Sequence, residues 1–421
     1  MFSNRERPEG RLLPKIRAAM PGPARPALAL AAGLMPLLAA MPAQAELDFY
    51  GKLYPEVNHY RMKGATKADA DVATIATRPS GTKDYSGETV ESSNSRVGVR
   101  GDIPISPGFK AIFQAEATLP VDSGTKDSKF FNRDTFVGLA SEQYGTIKLG
   151  LLDTVYKNMA EGASFLGVSS GNFVSISNII ARQGFGSSSA SSFHVRRQNT
   201  IYYETPFFAN FQVLAEYAVG EKTAAGAPSP WLASYAIQYN VDKLHLAVAQ
   251  EIHHDFFGGS LNMPTAALRT TDGKTSNDMS TRFSAMYTFP TQTRVDVNYA
   301  ITKFKEKGGD TGHFKRYKHD SWSIGLDQKV TNAWSLAAQY GAAEKGSCSL
   351  MGGASCDTDG LDGQMISVGA RYKLNKGVSL FGLYSVLVNG HSAVYSNVGE
   401  APAPTTGANI EQAAVGIIYA F

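Results

Sequence analysis

The chain has 421 residues, a formal charge of +3, 43% apolar residues and 10% aromatics, with a mean hydropathy of −0.18. That hydropathy is too polar for a helical membrane protein, and no basic tract of the kind that binds nucleic acid is present in the sequence. A soluble chain of this length usually divides into two or three domains, yet the texture after Ala45 is uniform, with no linker and no low-complexity segment.

Residues 1–45 read as a secretory signal peptide. Arg5, Arg7, Arg11, Lys15, Arg17 and Arg25 outweigh Glu6 and Glu9, an uncharged stretch PALALAAGLMPLLAAMPAQA follows, and Ala43-Gln44-Ala45 is a small-residue cleavage site. The Leu-rich core between Pro26 and Pro42 is short and proline-interrupted for a spanning helix. The long basic region leaves Met1 and Met20 as alternative starts. The leader carries +4, so residues 46–421 carry −1 and any electrostatic function must come from placement.

The mature part repeats one unit, about ten residues of apolar/polar alternation followed by a turn or a polar loop. Sixteen strands are predicted: 47–60, 94–103, 108–119, 130–140, 145–152, 196–204, 210–219, 231–240, 243–253, 280–289, 293–304, 320–329, 333–342, 364–374, 378–388 and 410–421. In 108–119, Phe109, Ala111, Phe113, Ala115 and Ala117 share one face, with Lys110, Gln114, Glu116 and Thr118 on the other. In 293–304, Val295, Val297, Tyr299 and Ile301 oppose Arg294, Asp296, Asn298 and Thr302. Such dyads suit lipid on one side and water on the other, and strands of ten or more residues match the span of a tilted transmembrane strand.

Connections alternate in length. Short turns at 105–108, 143–145, 206–210, 240–242, 290–292, 330–332 and 374–377 interleave with long polar loops such as 62–93, 153–195, 255–278 and 344–363. This is the rhythm of periplasmic turns and extracellular loops. The dense segment 303–319, KFKEKGGDTGHFKRYKH, reads as a surface loop with anionic lipopolysaccharide as a neighbour. The chain closes on AAVGIIYAF, an alternating strand ending in Phe421 without a polar tail. An apolar terminal strand would leave an open edge in a soluble protein. A closed barrel pairs it with the first strand and sets the final aromatic at the membrane–water girdle.

The residues also resemble the general-diffusion porins of the Gram-negative outer membrane, a sixteen-stranded trimeric family. The matching stretches are LDFYGKLY, SRVGVRGD, PGFKAIFQAEATL, NRDTFVGLASEQYGTIKLG, QNTIYYETPFFANFQVLAEYA and VGIIYAF, which together span residues 47–421. The resemblance implies an all-β transmembrane antiparallel barrel of 16 strands over 46–421, located in the outer membrane, with a long third loop folded into the lumen. It further implies a homotrimer of water-filled channels for ions and small hydrophilic solutes, in contact with outer-membrane lipid and lipopolysaccharide, without cofactor or nucleic-acid partner.

The third loop should run from 151 to about 195. By position in the matching motifs, the basic wall that such a loop faces would consist of Lys52, Arg96, Arg133 and Arg196, with Arg100 as a further member. Alternation places Lys52, Arg96 and Arg100 on the lumen face; Arg133 shares parity with the apolar Val137 and Leu139; and Arg196 shares parity with Thr200 and Glu204. The family opposes the wall with several loop acids, whereas here only Asp153 and Glu161 precede Glu204 and the remaining loop is neutral apart from Arg182. A positive excess and an anion lean are therefore expected. Against this stands pairing of the wall with Glu56, Asp102, Glu116 or Glu204, which would leave little selectivity. A substrate-specific channel for phosphate or an organic acid is the alternative function.

An enzyme is not expected. Gly167-Val168-Ser169-Ser170-Gly171 fits G-x-S-x-G but lies in a Ser/Gly-rich loop without the strand–turn–helix setting that chemistry needs. His253 and His254 are neighbours on a strand and should point to opposite faces, so they cannot share a metal ion. An outer-membrane enzyme or adhesin would need a lumen-facing triad or a passenger domain, and the sequence has neither pattern. The two cysteines, Cys348 and Cys356, lie in one Gly-rich loop and are expected to form a disulfide.

Overall fold

The computed structural model describes residues 46–421 apart from 80–83, 93, 124–129, 160–165, 167–172, 221–228, 264–267, 269–274 and 400. The leader and Glu161 lie outside the described residues, as does the segment 167–171.

The alternating segments become strands in one continuous antiparallel sheet. The first stave is β1 (Glu46–Leu53) and β2 (Pro55–Lys63), interrupted at Tyr54; the second is β3 (Tyr85–Ser92) and β4 (Arg96–Ser106). Then follow β5 (Phe109–Thr118), β6 (Thr135–Ser141), β7 (Gly145–Asp153), β8 (Arg196–Glu204), β9 (Phe211–Val219) and β10 (Trp231–Val241). The far side holds β11 (Leu244–His254), β12 (Thr275–Thr288), β13 (Thr293–Lys307), β14 (Phe314–Lys329) and β15 (Trp334–Ala343). A small loop hairpin, β16 (Ser347–Leu350) with β17 (Ser355–Cys356), precedes β18 (Gly363–Lys373), β19 (Val378–Asn389) and β20 (Asn409–Ala420). Counting the two interrupted staves once each and setting the hairpin aside, the barrel has sixteen strands. It closes where β20 pairs with the first stave, through Leu53↔Tyr419 and then Glu56↔Gly416 to Lys63↔Asn409.

Polarity is inverted relative to a soluble sandwich. On β13, Val297 and Tyr299 are exposed while Asp296, Asn298 and Ala300 are buried. Apolar side chains therefore line the outside, where lipid takes the place of a protein core. Aromatic pairs form belts at both rims. Phe109–Tyr144, Phe211–Tyr239, Trp334–Tyr372 and Tyr419–Phe421 lie at the short-turn end, and Tyr217–Trp231 and Trp322–Tyr340 toward the long-loop end. The turn after β4 is made by Gly108, whose φ of 80° is a conformation that side chains with a Cβ disfavour.

Strand limits differ from the predicted ones mainly toward the long loops. β12 begins at Thr275, β13 continues to Lys307 and β14 begins at Phe314, so most of 303–319 is ladder and not surface loop. The cause is a change of solvent along one strand. Beyond the lipid zone the outward positions Lys303, Lys305 and Lys307 are charged, while the inward Phe304, Phe314 and Tyr317 are fully buried. The alternation persists with its polarity reversed. Likewise 62–93 contains β3, and 344–363 contains the β16–β17 hairpin.

Candidate functional site

The basic wall is built where β1, β4 and β5 run side by side. Lys52 is opposite Arg96, and Gly98 is opposite Glu116, so these side chains share the inner face. Tyr50 Oη donates to Glu116 Oε2 at 2.9 Å, and Arg96 Nε lies 3.5 Å from the same oxygen. Arg133 Nε donates to Glu116 Oε1. One carboxylate thus serves two guanidiniums. Lys52 Nζ sits 4.6 Å over the Tyr54 ring and feels Arg96, Arg371 and Arg133 electrostatically.

Arg371, on β18, was not singled out from sequence. Its signal was there: it shares parity with Ser367 and Gly369, against the outward Val368 and Tyr372. Arg133 escapes the parity argument because β6 begins only at Thr135, and the Arg133 N–H donates to the Glu116 carbonyl at 3.2 Å.

The predicted members Arg100 and Arg196, and the neighbouring Lys110 and Lys148, are paired more evenly. Arg100 forms a two-point contact with Asp48 Oδ2 at 2.7 and 2.9 Å. Lys110 lies 3.2 Å from Asp102, and Lys148 lies 3.4 Å from Glu204. Arg196 reaches Asp134 Oδ1 at 2.7 Å and Asp153 Oδ1 at 2.8 Å. Its parity with Thr200 does not carry, because the β7–β8 register shifts between Gly150 and Leu152, and Asn199 adopts φ 57°. Arg197 instead caps Phe256 at 4.6 Å and donates to the Ser189 carbonyl at 2.9 Å.

Asp153 also receives Lys157 Nζ at 2.8 Å, so the acid at the loop base is shared by two cations. Burial pulls the Lys157 ammonium below the usual lysine range, against the opposing pull of Asp153. Burial, with Asp153 alongside, pushes the Asp134 carboxyl up, and Arg196 draws it back.

Described residues of the β7–β8 connection hydrogen-bond to side chains of several strands. A helical turn, Val155–Asn158, is capped by Thr154, whose hydroxyl accepts the Lys157 N–H at 3.3 Å. The Val155 N–H donates to Glu216 Oε2 and the Tyr156 N–H to Ser234 Oγ, each at 2.9 Å. Tyr156 Oη is 2.7 Å from Ser280 Oγ. Arg282, 1% exposed, donates to the Tyr156 carbonyl and stacks its guanidinium 4.0 Å from the Tyr156 ring centre. Farther along, Gln339 donates to the Val174 carbonyl, Ser321 to that of Ile180 at 3.1 Å, and Asn397 to that of Phe173 at 2.9 Å. These anchors lie on β9 to β15 and on the segment after β19, away from the basic wall.

His253 is buried against Glu251 at 2.8 Å, whereas His254 stacks on Trp231 at 4.9 Å on the other face. Cys348 and Cys356 face each other in the β16–β17 ladder with Cα atoms 5.1 Å apart, a disulfide spacing.

The profile of the Gram-negative porin family matches residues 27–391. The chain belongs to the Gram-negative porins. Among curated relatives, this porin is 26% identical over 367 residues to outer membrane porin protein 32 of Delftia acidovorans, covering 84% of this chain and 92% of that one. It is 29% identical over 196 residues to major outer membrane protein P.IB of Neisseria gonorrhoeae, covering 46% of this chain and 49% of the other, so there the alignment spans about half the relative's length. In fold it is similar to an anion-selective porin from Comamonas acidovorans, with a TM-score of 0.65 at 20% identity over 90% of this chain and all of that one. The trimer form of OmpT from Vibrio cholerae is similar at a TM-score of 0.58 and 17% identity, covering 90% of this chain and 99% of that one. Family and fold place this porin in the outer membrane.

Proposed function

We propose that the barrel is a water-filled channel for passive diffusion of ions and small hydrophilic solutes, with a preference for anions. The observation that carries the preference is the shared carboxylate: Glu116 stands against both Arg96 and Arg133, with Lys52 beside them. The acid at the loop base, Asp153, is already engaged by Lys157 and Arg196. A positive excess in a narrow passage with low-dielectric walls raises the local concentration of anions. Pairing of Arg100, Lys110 and Lys148 moderates the effect without cancelling it.

The β7–β8 loop is proposed as the constriction that faces this wall, supported by its hydrogen bonds to inward side chains of β9, β10, β12, β14 and β15. Residues 1–45 are proposed as a cleaved leader, Cys348–Cys356 as a disulfide stiffening an extracellular loop, and a homotrimer as the assembly, in line with the trimeric OmpT neighbour. The outer surface would meet lipid and lipopolysaccharide. The second reading, a phosphate- or organic-acid-specific channel, rests on the same cluster of cations. Reversal potential in a planar bilayer under a salt gradient tests the proposal. A cation-preferring potential ends it, and saturable block of conductance by phosphate or one organic acid favours the specific channel.

A further inference from the structure

The loop between β2 and β3 carries an apolar island, Val72-Ala73-Thr74-Ile75-Ala76, in surroundings that are otherwise polar. A loop spread over the outside of the barrel would leave these side chains in water. Instead Ile75 is 0% exposed, and Ala73 and Ala76 are each 2% exposed. They belong to one buried cluster with Tyr156, Phe185 and Phe193 of the β7–β8 connection, Met263 of the β11–β12 loop and Phe304 on the inner face of β13. Apolar burial of this kind holds a loop in place only where other elements supply the partner surface.

Hydrogen bonds fix where the loop goes. The Thr66 N–H donates to the Thr406 carbonyl at 2.9 Å, and Thr66 Oγ1 donates to the His391 carbonyl at 2.7 Å. The Ala73 N–H donates to Ser392 Oγ at 3.0 Å, and Thr406 Oγ1 donates to the Thr77 carbonyl at 2.8 Å. All four tie the loop to the segment between β19 and β20. On its other side, a groove of about 550 Å³ lies between Ala68 to Pro79 and Leu268 of the β11–β12 loop. Counted round the ring from the β1–β2 stave, β11 and β12 are the ninth and tenth of sixteen, half-way round from the β2–β3 loop. Sixteen strands about 4.8 Å apart and tilted by about 40° enclose a ring roughly 32 Å across. The chain from Lys63 to Ile75 reaches up to roughly 40 Å at about 3.3 Å per residue. The loop is therefore long enough to meet its opposite number over the mouth.

We propose that the β2–β3 loop is a strap across the extracellular mouth, which sets a size limit of its own in series with the constriction. Ile75 is the residue that holds it down. The strap acts on the size of a solute and not on its charge, because Lys67 and Arg78 balance Asp69 and Asp71 along it. The inference rests on the pore reading above and is independent of the anion preference.

Polymer exclusion tests the strap. Uncharged polyethylene glycols of increasing mass would be added to one side of a planar bilayer holding the protein in one orientation, reading single-channel conductance. In the wild type, the heaviest polymer that enters from the extracellular side should be lighter than the heaviest that enters from the periplasmic side. A variant lacking residues 67–78, which removes no net charge, should admit polymers several-fold heavier from the extracellular side and leave the periplasmic limit as it was. Ile75→Asn should move the extracellular limit the same way, and Ile75→Val should retain the wild-type limit. Conversion of the compact band on gels near the wild-type temperature verifies the barrel of each variant. An unchanged extracellular limit in the deletion overturns the strap, and so does an equal shift on both sides, which would trace to the constriction. A shift in the deletion without one in Ile75→Asn overturns the part given to Ile75. A wild type that passes no current overturns the pore reading and the strap with it, whereas a conducting wild type with unmoved variants overturns the strap alone.

Discussion

Gly51 and Phe421 exchange both backbone hydrogen bonds, Gly51 N–H to the Phe421 carbonyl at 2.9 Å and Phe421 N–H to the Gly51 carbonyl at 3.1 Å. The phenyl ring lies over the glycine so closely that a methyl group there would overlap it. The last residue of the chain therefore seals the first strand, and the absence of a side chain at 51 makes room for the seal. Gly51→Val should displace the ring and weaken closure by about 1–3 kcal/mol. The readout is the temperature at which the compact band converts to the unfolded band on gels, which should fall. An unchanged conversion temperature would contradict the role given to this contact.

Removing the shared acid should sharpen selectivity. A unit charge about 4 Å from a passing ion acts with about 1 kcal/mol in water-like surroundings, or roughly fivefold in permeability. Because the charge acts on anion and cation with opposite sign, Glu116→Gln should raise the anion-to-cation permeability ratio by up to roughly 25-fold, and Arg96→Gln should lower it. Reversal potentials of the two variants in the same gradient must therefore move in opposite directions.

Arg282 should act on the loop more than on the field. Its guanidinium is buried beneath Tyr156, donating to the carbonyl and stacking on the ring. Arg282→Met removes a charged hydrogen bond of roughly 1.5–3 kcal/mol along with the cation–π contact. The first turn of the β7–β8 loop should loosen, giving noisier open-channel current in single-channel recordings. A quiet trace with wild-type conductance would show that other anchors suffice.

Cys348→Ser should leave transport alone. The two cysteines are separated by 8 positions in a loop hairpin away from the basic wall. A ring this short restricts the unfolded chain by at most roughly 2–3 kcal/mol. Thermal conversion should fall modestly while conductance and reversal potential stay at wild-type values.

Much of the architecture was legible along the chain. The sixteen staves, the outward Val297 and Tyr299, the inward Asp296 and Asn298, and the short-long rhythm all follow from a two-residue period that extended backbone imposes on neighbours. Boundaries slipped where polarity reversed, as at Lys303 to Lys307, since the pattern was read as apolar-outward throughout. The split between His253 and His254 followed from the same period.

The charge constellation was not legible in that way. That Glu116 would gather Tyr50, Arg96 and Arg133, or that Arg371 would stand near Lys52, depends on ring closure and register between segments far apart in the chain. The shift beside Asn199 broke the parity from which Arg196 was placed. Strand and face are properties of adjacent residues, so the amino-acid order carries them. Electrostatic partners are chosen by distance through space, which exists only once the sheet has closed.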